Sequence, residues 1–137
     1  MTSFACVLLV IVLSFGLGFP SMMAVAATPL SAEKATEVVA VRGIEVKDGE
    51  VSGELVNKSG RGIQDVQVLI RHTWLWKNEF RPGQDDPGTA VYYTVEKQIA
   101  PGESARFTYK PPRPLPSRKD GNFATTVSVA GFTEVYR

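Results

Sequence analysis

The side chains with the widest chemical reach stand close together in this chain. His72, Trp74 and Trp76 alternate along one stretch, and Glu79, Asp85 and Asp86 follow in the next loop. His72 is the one imidazole. Acid–base work would need it beside a nucleophile or substrate group, and a structural zinc site needs four N or S ligands. The one cysteine, Cys6, lies in an apolar N-terminal run, so a transition-metal centre within one chain is not expected. His72, between Ile70 and Trp74, reads as a hydrogen-bonded histidine at the margin of a core. The three acidic residues offer oxygens to Ca²⁺, but they are too few and match no EF-hand or RTX spacing. They read as a solvated acidic turn.

Trp74 and Trp76 admit two readings. Exposed on a sheet, indoles stack on the apolar faces of sugar rings; turned inward, they plug a core or anchor a loop. The second reading is preferred, with Trp76 the more exposed of the two and Tyr92 the residue that would complete a sugar platform. A third group is basic: Lys110, Arg113, Arg118 and Lys119 punctuate a proline-rich segment. Extended and low in entropy, such a segment docks on partners or anionic envelope polymers when it is not simply a solvated loop. The candidate ligand or partner surface is therefore Trp74, Trp76, Tyr92, Arg113 and Arg118. Pro111 to Pro114 fits P-x-x-P, a ligand of cytosolic SH3 domains that an exported chain does not meet. Asn57-Lys58-Ser59 fits a glycosylation sequon and reads as a turn. There is no G-x-S-x-G elbow, P-loop, H-E-x-x-H or recognisable carboxylate pair. The expectation is a protein that is not an enzyme and calls for no cofactor or metal.

Charge placement bears on where the protein works. The fifteen basic and fourteen acidic side chains of the 137 residues all follow Ser31, and the net charge is +1. Near neutrality argues against nucleic acid as a partner. Ahead of the charges, residues 4–19 are apolar but for Ser14, Gly16 and Gly18, and Ala24, Val25, Ala26 and Ala27 supply small residues for cleavage. That is the layout of a secretory signal peptide cut after Ala26 or Ala27, although its start carries no Lys or Arg. The alternative is an uncleaved anchor within residues 4–27, the one case in which a membrane is a partner. Cys6 lies inside the apolar run rather than after it, against lipid attachment. Cleavage would leave a chain without cysteine, better suited to a bacterial periplasm or exterior than to a small disulfide scaffold. The expected divisions are residues 1–27 as leader, 28–37 as a flexible lead-in with a helical turn at 32–36, and 38–137 as one domain.

The elements that must position these side chains are strands. Val38, Val39, Val41, Ile44 and Val46 form a first β segment, with Gly43 marking a bulge or a switch between sheets. Asp48-Gly49 predicts a tight hairpin into residues 51–56. Residues 57–62 are dense in turn formers. Val66, Val68, Ile70, His72, Trp74 and Trp76 then share one face, opposite a mixed one. Residues 77–89 form a long loop with two Pro-Gly pairs. Val91, Tyr93, Val95 and Ile99 line the next strand, and Pro101-Gly102 turns the chain toward Ala105, Phe107 and Tyr109. Residues 110–119 cannot be a central strand, because their prolines lack ladder donors. Phe123, Thr125, Val127 and Val129 begin the last strand, with a bulge at Gly131. Six or seven mostly antiparallel strands in about a hundred residues predict an all-β sandwich.

Val-Ser-Gly-Glu-Leu-Val-Asn-Lys-Ser-Gly (residues 51–60), Ile-x-x-Val-x-Val (63–68) and Ile-Ala-Pro-Gly-Glu-Ser-Ala-Arg-Phe (99–107) resemble the FxLYD-type domains of bacterial envelope proteins. The likeness covers residues 41–109. Phe107-Thr108-Tyr109 stands where that family carries Phe-x-Leu-Tyr-Asp. The resemblance implies an immunoglobulin-like sandwich in the cell envelope and carries over no catalytic residue. The expected function is an exported, non-catalytic module making contacts with another envelope protein. A small carbohydrate-binding module using surface Trp and Tyr is the alternative, with a glycan as its ligand.

Overall fold

A computed structural model describes residues 31–78 and 85–136. The leader at residues 1–27 and Glu79 lie outside them. The described chain runs α1 (Ala32–Val38), β1 (Val39–Lys47), β2 (Glu50–Asn57), β3 (Gly62–Trp76), β4 (Thr89–Val95), β5 (Ser104–Tyr109) and β6 (Gly121–Val135). The six strands form two antiparallel sheets of three, ordered β1-β2-β5 and β4-β3-β6, packed as a β-sandwich.

Over its described part, the lead-in is a helix rather than a loose segment, and the helical turn expected at 32–36 extends through Val38. Ser31 caps it, taking the Lys34 amide on its hydroxyl at 3.4 Å, and Glu33 complements the positive end of the first turn. Ala35 is fully buried. Beyond the helix, Lys58 donates its amide to Val38 O and its ammonium to Thr36 O, satisfying carbonyls that have no partner within so short a helix. The β-branched pair Val38-Val39 then turns the backbone extended, where such side chains pack best.

Alternation decides the rest. Along β3, Ile63, Val66, Val68, Ile70, His72 and Trp74 are buried while Gln67, Arg71, Thr73 and Leu75 face solvent. Val51, Leu55, Phe107, Ala105, Val95, Ile99, Val129 and Phe132 complete the core between the sheets. Tyr93 of β4 reaches across to Phe107 and Tyr109 of β5, with ring centroids 6.5 and 5.6 Å apart. The hairpin at Asp48-Gly49 has φ of 51° and 86°, the two left-handed residues of a type I′ turn. The expected bulge at Gly43 is present: its φ is 57°, and the β1–β2 register shifts between Arg42 and Glu45.

The bulge read near Gly131 is a double irregularity. β6 has one extra residue, Ala130, between the pairs Val68↔Val129 and Gln67↔Gly131. On β3 the register shifts between Gln64 and Gln67, where Asp65 has a φ of 50°. The expected strand through Ile99 ends at Val95; Ile99 rejoins the structure through a lone bridge to Ile63.

Candidate functional site

β3 and β6 outrun β4. The β3–β4 pairing ends at His72↔Thr89, whereas β3–β6 pairing continues to Trp76↔Gly121. Trp74 and Trp76, beyond His72, therefore project inward at an end of the sandwich where, among the described residues, β3 is flanked by β6 alone. Phe123, directly opposite Trp74, packs edge-on against it at 4.8 Å, and Trp76 meets Trp74 edge-on at 6.1 Å. Gly121 is buried because Trp74 lies on it; an added Cβ would stand 2.5 Å from the indole and against the Leu75 carbonyl.

Arg118, from the proline-rich segment, closes this end. Its guanidinium lies 5.3 Å from the Trp74 ring centroid and 5.2 Å from that of Trp76, and Nη1 donates to the Asp85 carbonyl at 2.9 Å. Nε and Nη2 both donate to the Asp120 carboxylate, forming a bidentate pair. That hydrogen-bonded carboxylate raises the Arg118 pKa, so the charge that attracts the indole faces is secured. At the segment's other end Pro111 and Leu115 pack on Gly49, whose added Cβ would stand 2.9 Å from Leu115. Residues 110–120 thus form a strap, fastened at the β1–β2 hairpin tip and at the tryptophans. Between the hairpin tip and the strap's first residues lies an open groove of about 480 Å³ lined by Lys47, Asp48, Glu50, Lys110, Pro111, Pro112 and Pro114.

The five candidate residues are not gathered at one place. Trp74 is 5 % exposed and Trp76 half-buried, with Arg118 over both. Tyr92 is 62 % exposed, but it sits beside Leu69 on the outward face, opposite the tryptophans. Arg113 is exposed on the strap. No three-aromatic platform forms, because the parity of β3 sends Trp74 and Trp76 to one side of the sheet and Tyr92's neighbours to the other.

His72 is 2 % exposed, its Nδ1 2.7 Å from the Thr125 hydroxyl. Burial lowers its pKa, disfavouring the charged imidazolium. A hydroxyl beside an imidazole has the elements of a nucleophile–base pair. Here the imidazole is buried but the hydroxyl is half-buried, Nε2 has no hydrogen-bond partner among the described residues to orient it, and Phe123 lies edge-on at 6.4 Å. Among the described residues no group of three or more His, Cys, Asp or Glu could hold a metal ion. Asp86 spends a carboxylate oxygen on the Gly88 amide at 2.8 Å, an Asx turn of the acidic loop.

Two arrangements escaped the sequence. Asn57 is fully buried, and all four of its side-chain hydrogen-bonding positions are used. Nδ2 donates to Arg61 O at 2.6 Å and Ile99 O at 3.0 Å, while Oδ1 accepts from the Ser59 amide and hydroxyl at 2.9 and 2.7 Å. The sequon is therefore a buried knot joining two turns, and its asparagine is out of reach of a glycan. An Asn directly after an alternating strand and two before Ser was the available signal. The second arrangement is Arg61, Glu134 and Tyr136: the carboxylate takes Arg61 Nη1 and the Tyr136 hydroxyl, each at 2.9 Å. Tyr136 first, then Arg61, lowers the Glu134 pKa. Seventy-three residues separate Arg61 from Glu134, so only the β3–β6 register reveals this pair.

Comparison of the chain with protein-family models, curated proteins and solved structures finds no match in any of the three.

Proposed function

We propose that the chain is an exported, non-catalytic immunoglobulin-like module of the bacterial cell envelope that makes protein–protein contacts through an open sheet edge. The observation that carries this reading is the pair of three-stranded sheets, in which β1, β5, β4 and β6 are each hydrogen-bonded to a strand on one side only among the described residues. Such edges present rows of backbone donors and acceptors to another chain. The alternation of the chain between sheets, with β1, β2 and β5 in one and β3, β4 and β6 in the other, suits an immunoglobulin-like topology. The FxLYD-type likeness rests on the turn and core residues already named: Asn57 ties the knot, Pro101-Gly102 makes the turn before β5, and Phe107 lies in the core.

The sugar-binding alternative asks for free indole faces. Arg118 lies over both tryptophans and Tyr92 stands on the other side of the sheet, which favours the protein-contact reading. Capture from envelope extracts on the immobilised protein tests it. A saturable protein partner, lost on heat denaturation of the bait, is expected. Retention on a glycan array with no protein captured would replace this reading with the sugar-binding one.

A further inference from the structure

The corner that Arg118 fills has the chemistry of a guanidinium receptor. Trp74 and Trp76 stand edge-on at 89°, and the Arg118 guanidinium lies over both, 5.3 and 5.2 Å from their centroids. Flat indole faces beside a carboxylate suit a planar, weakly hydrated cation. Further acids stand near. The hydrogen bond to Asp120 first, and the charges of Asp120, Asp85 and Asp86 with it, raise the Arg118 pKa against an opposing effect of burial.

The group now in the corner sits on a lightly fastened segment. Residues 111–119 of the strap contain four prolines and, among the described residues, make no backbone–backbone hydrogen bond. At the tryptophan end Arg118 is itself the fastening, and 28 % of its side chain is exposed, so release carries it straight into solvent. Asp120 stays behind. Its carbonyl accepts the Lys77 amide at 3.0 Å, which pins it beside the end of β3.

The closed corner also leaves a donor unsatisfied. Trp74 is 5 % exposed, and its Nε1 is buried without a hydrogen-bond partner among the described residues. A guanidinium has donors only, so the head group of Arg118 cannot serve it. A peptide carrying an arginine brings backbone carbonyls as well.

We propose that Trp74, Trp76 and Asp120 form a binding site for an arginine side chain of a partner polypeptide, and that Arg118 occupies it in the free protein as a displaceable latch. The incoming guanidinium replaces that of Arg118 on the indoles and on the Asp120 carboxylate. A carbonyl of the partner's backbone takes the Trp74 Nε1–H. Lysine fits poorly, because an ammonium is strongly hydrated and lacks the flat fork. The site lies apart from the sheet edges and does not rest on the edge-contact reading.

The test uses the full chain and two capped tripeptides, acetyl-Gly-Arg-Gly-amide and its lysine counterpart. Trp74 and Trp76 are the two tryptophans of the chain, so indole fluorescence and N–H resonances report on this site. The Arg118→Ala protein is expected to bind the arginine peptide saturably and at least about tenfold more tightly than the lysine one. Wild type should bind it about ten- to hundredfold more weakly than Arg118→Ala, because the latch must open first, and should reach the same Trp74 indole shift at saturation. Trp76→Ala added to Arg118→Ala should abolish binding with unchanged circular dichroism. No binding to Arg118→Ala, equal affinity for the two peptides, or equal affinity in wild type and Arg118→Ala would each overturn the proposal. So would an indole shift absent from wild type at every peptide concentration, which would make Arg118 a fixed clasp. If Arg118→Ala does not fold, the wild-type shifts with the arginine and lysine peptides decide alone. Capture of an envelope protein by a chain that fails these tests would uphold the edge reading while refuting this one.

Discussion

Replacing Asn57 probes the knot that joins the β2–β3 turn to the turn before β5. Its side chain makes four hydrogen bonds in a fully buried setting. At about 1 kcal/mol net for each, the ceiling for Asn57→Ala is about 4 kcal/mol. Two acceptors keep other donors: Ile99 O still receives Ile63 N at 3.0 Å, and Arg61 O still receives the Ser59 hydroxyl at 3.1 Å. The Ser59 amide loses its partner, but Ser59 is only half-buried and water reaches it. The expected cost is therefore about 2–4 kcal/mol. With a urea m-value of about 1–3 kcal/mol/M, a loss near 3 kcal/mol lowers the midpoint by about 1–3 M. Asn57→Asp sharpens the test. A carboxylate there would point at two carbonyl oxygens with nothing to donate, so its folded pKa must rise above the unfolded value near 4. Such a group contributes least destabilisation below that value, and stability falls as pH rises through the folded pKa. Urea titrations of the three proteins between pH 3 and 8 read both effects. An Asn57→Ala cost below about 1 kcal/mol, or an Asn57→Asp profile parallel to wild type, would refute the account.

Gly121→Ala should destabilise by about 2 kcal/mol or more, since its Cβ meets Trp74 and the Leu75 backbone; a melting temperature within a degree of wild type would sink this. Arg118→Ala should bare the indoles, raising iodide quenching of tryptophan fluorescence, and Arg118→Lys should not restore shielding because an ammonium lacks the flat bidentate fork. Quenching equal in all three proteins would show that Arg118 does not shield the tryptophans. Burial depresses the His72 pKa in the folded protein below its unfolded value near 6.5. The unfolded chain therefore binds more protons in the window just below 6.5, and stability is lost as pH falls through it toward the folded pKa. Urea midpoints at pH 7.5 and 5 should diverge for wild type and converge for His72→Gln; equal divergence in both would assign the effect elsewhere.

Local chemistry was legible without the fold. Asp48-Gly49 can close only a tight turn of its type, Gly43 marks a bulge, and the prolines after Lys110 bar a strand, because each effect acts within a few residues. Alternation from Val66 to Trp76 likewise announces which side chains turn inward, since parity along a strand is a property of the backbone itself. Ser31 and the residues after it held a helix signal that is weak over seven residues; burial of Ala35 and the carbonyl contacts of Lys58 complete that helix. What tertiary structure alone decided is which strands are neighbours. That choice laid Arg118 over Trp74 and Trp76, closed Asn57 onto Ile99 forty-two residues away, and brought Arg61 to Glu134. It also brought α1 and β1 beside β6, elements that the chain order keeps far apart. The sequence contained all of these residues, but which of them meet depends on the packing of the whole chain.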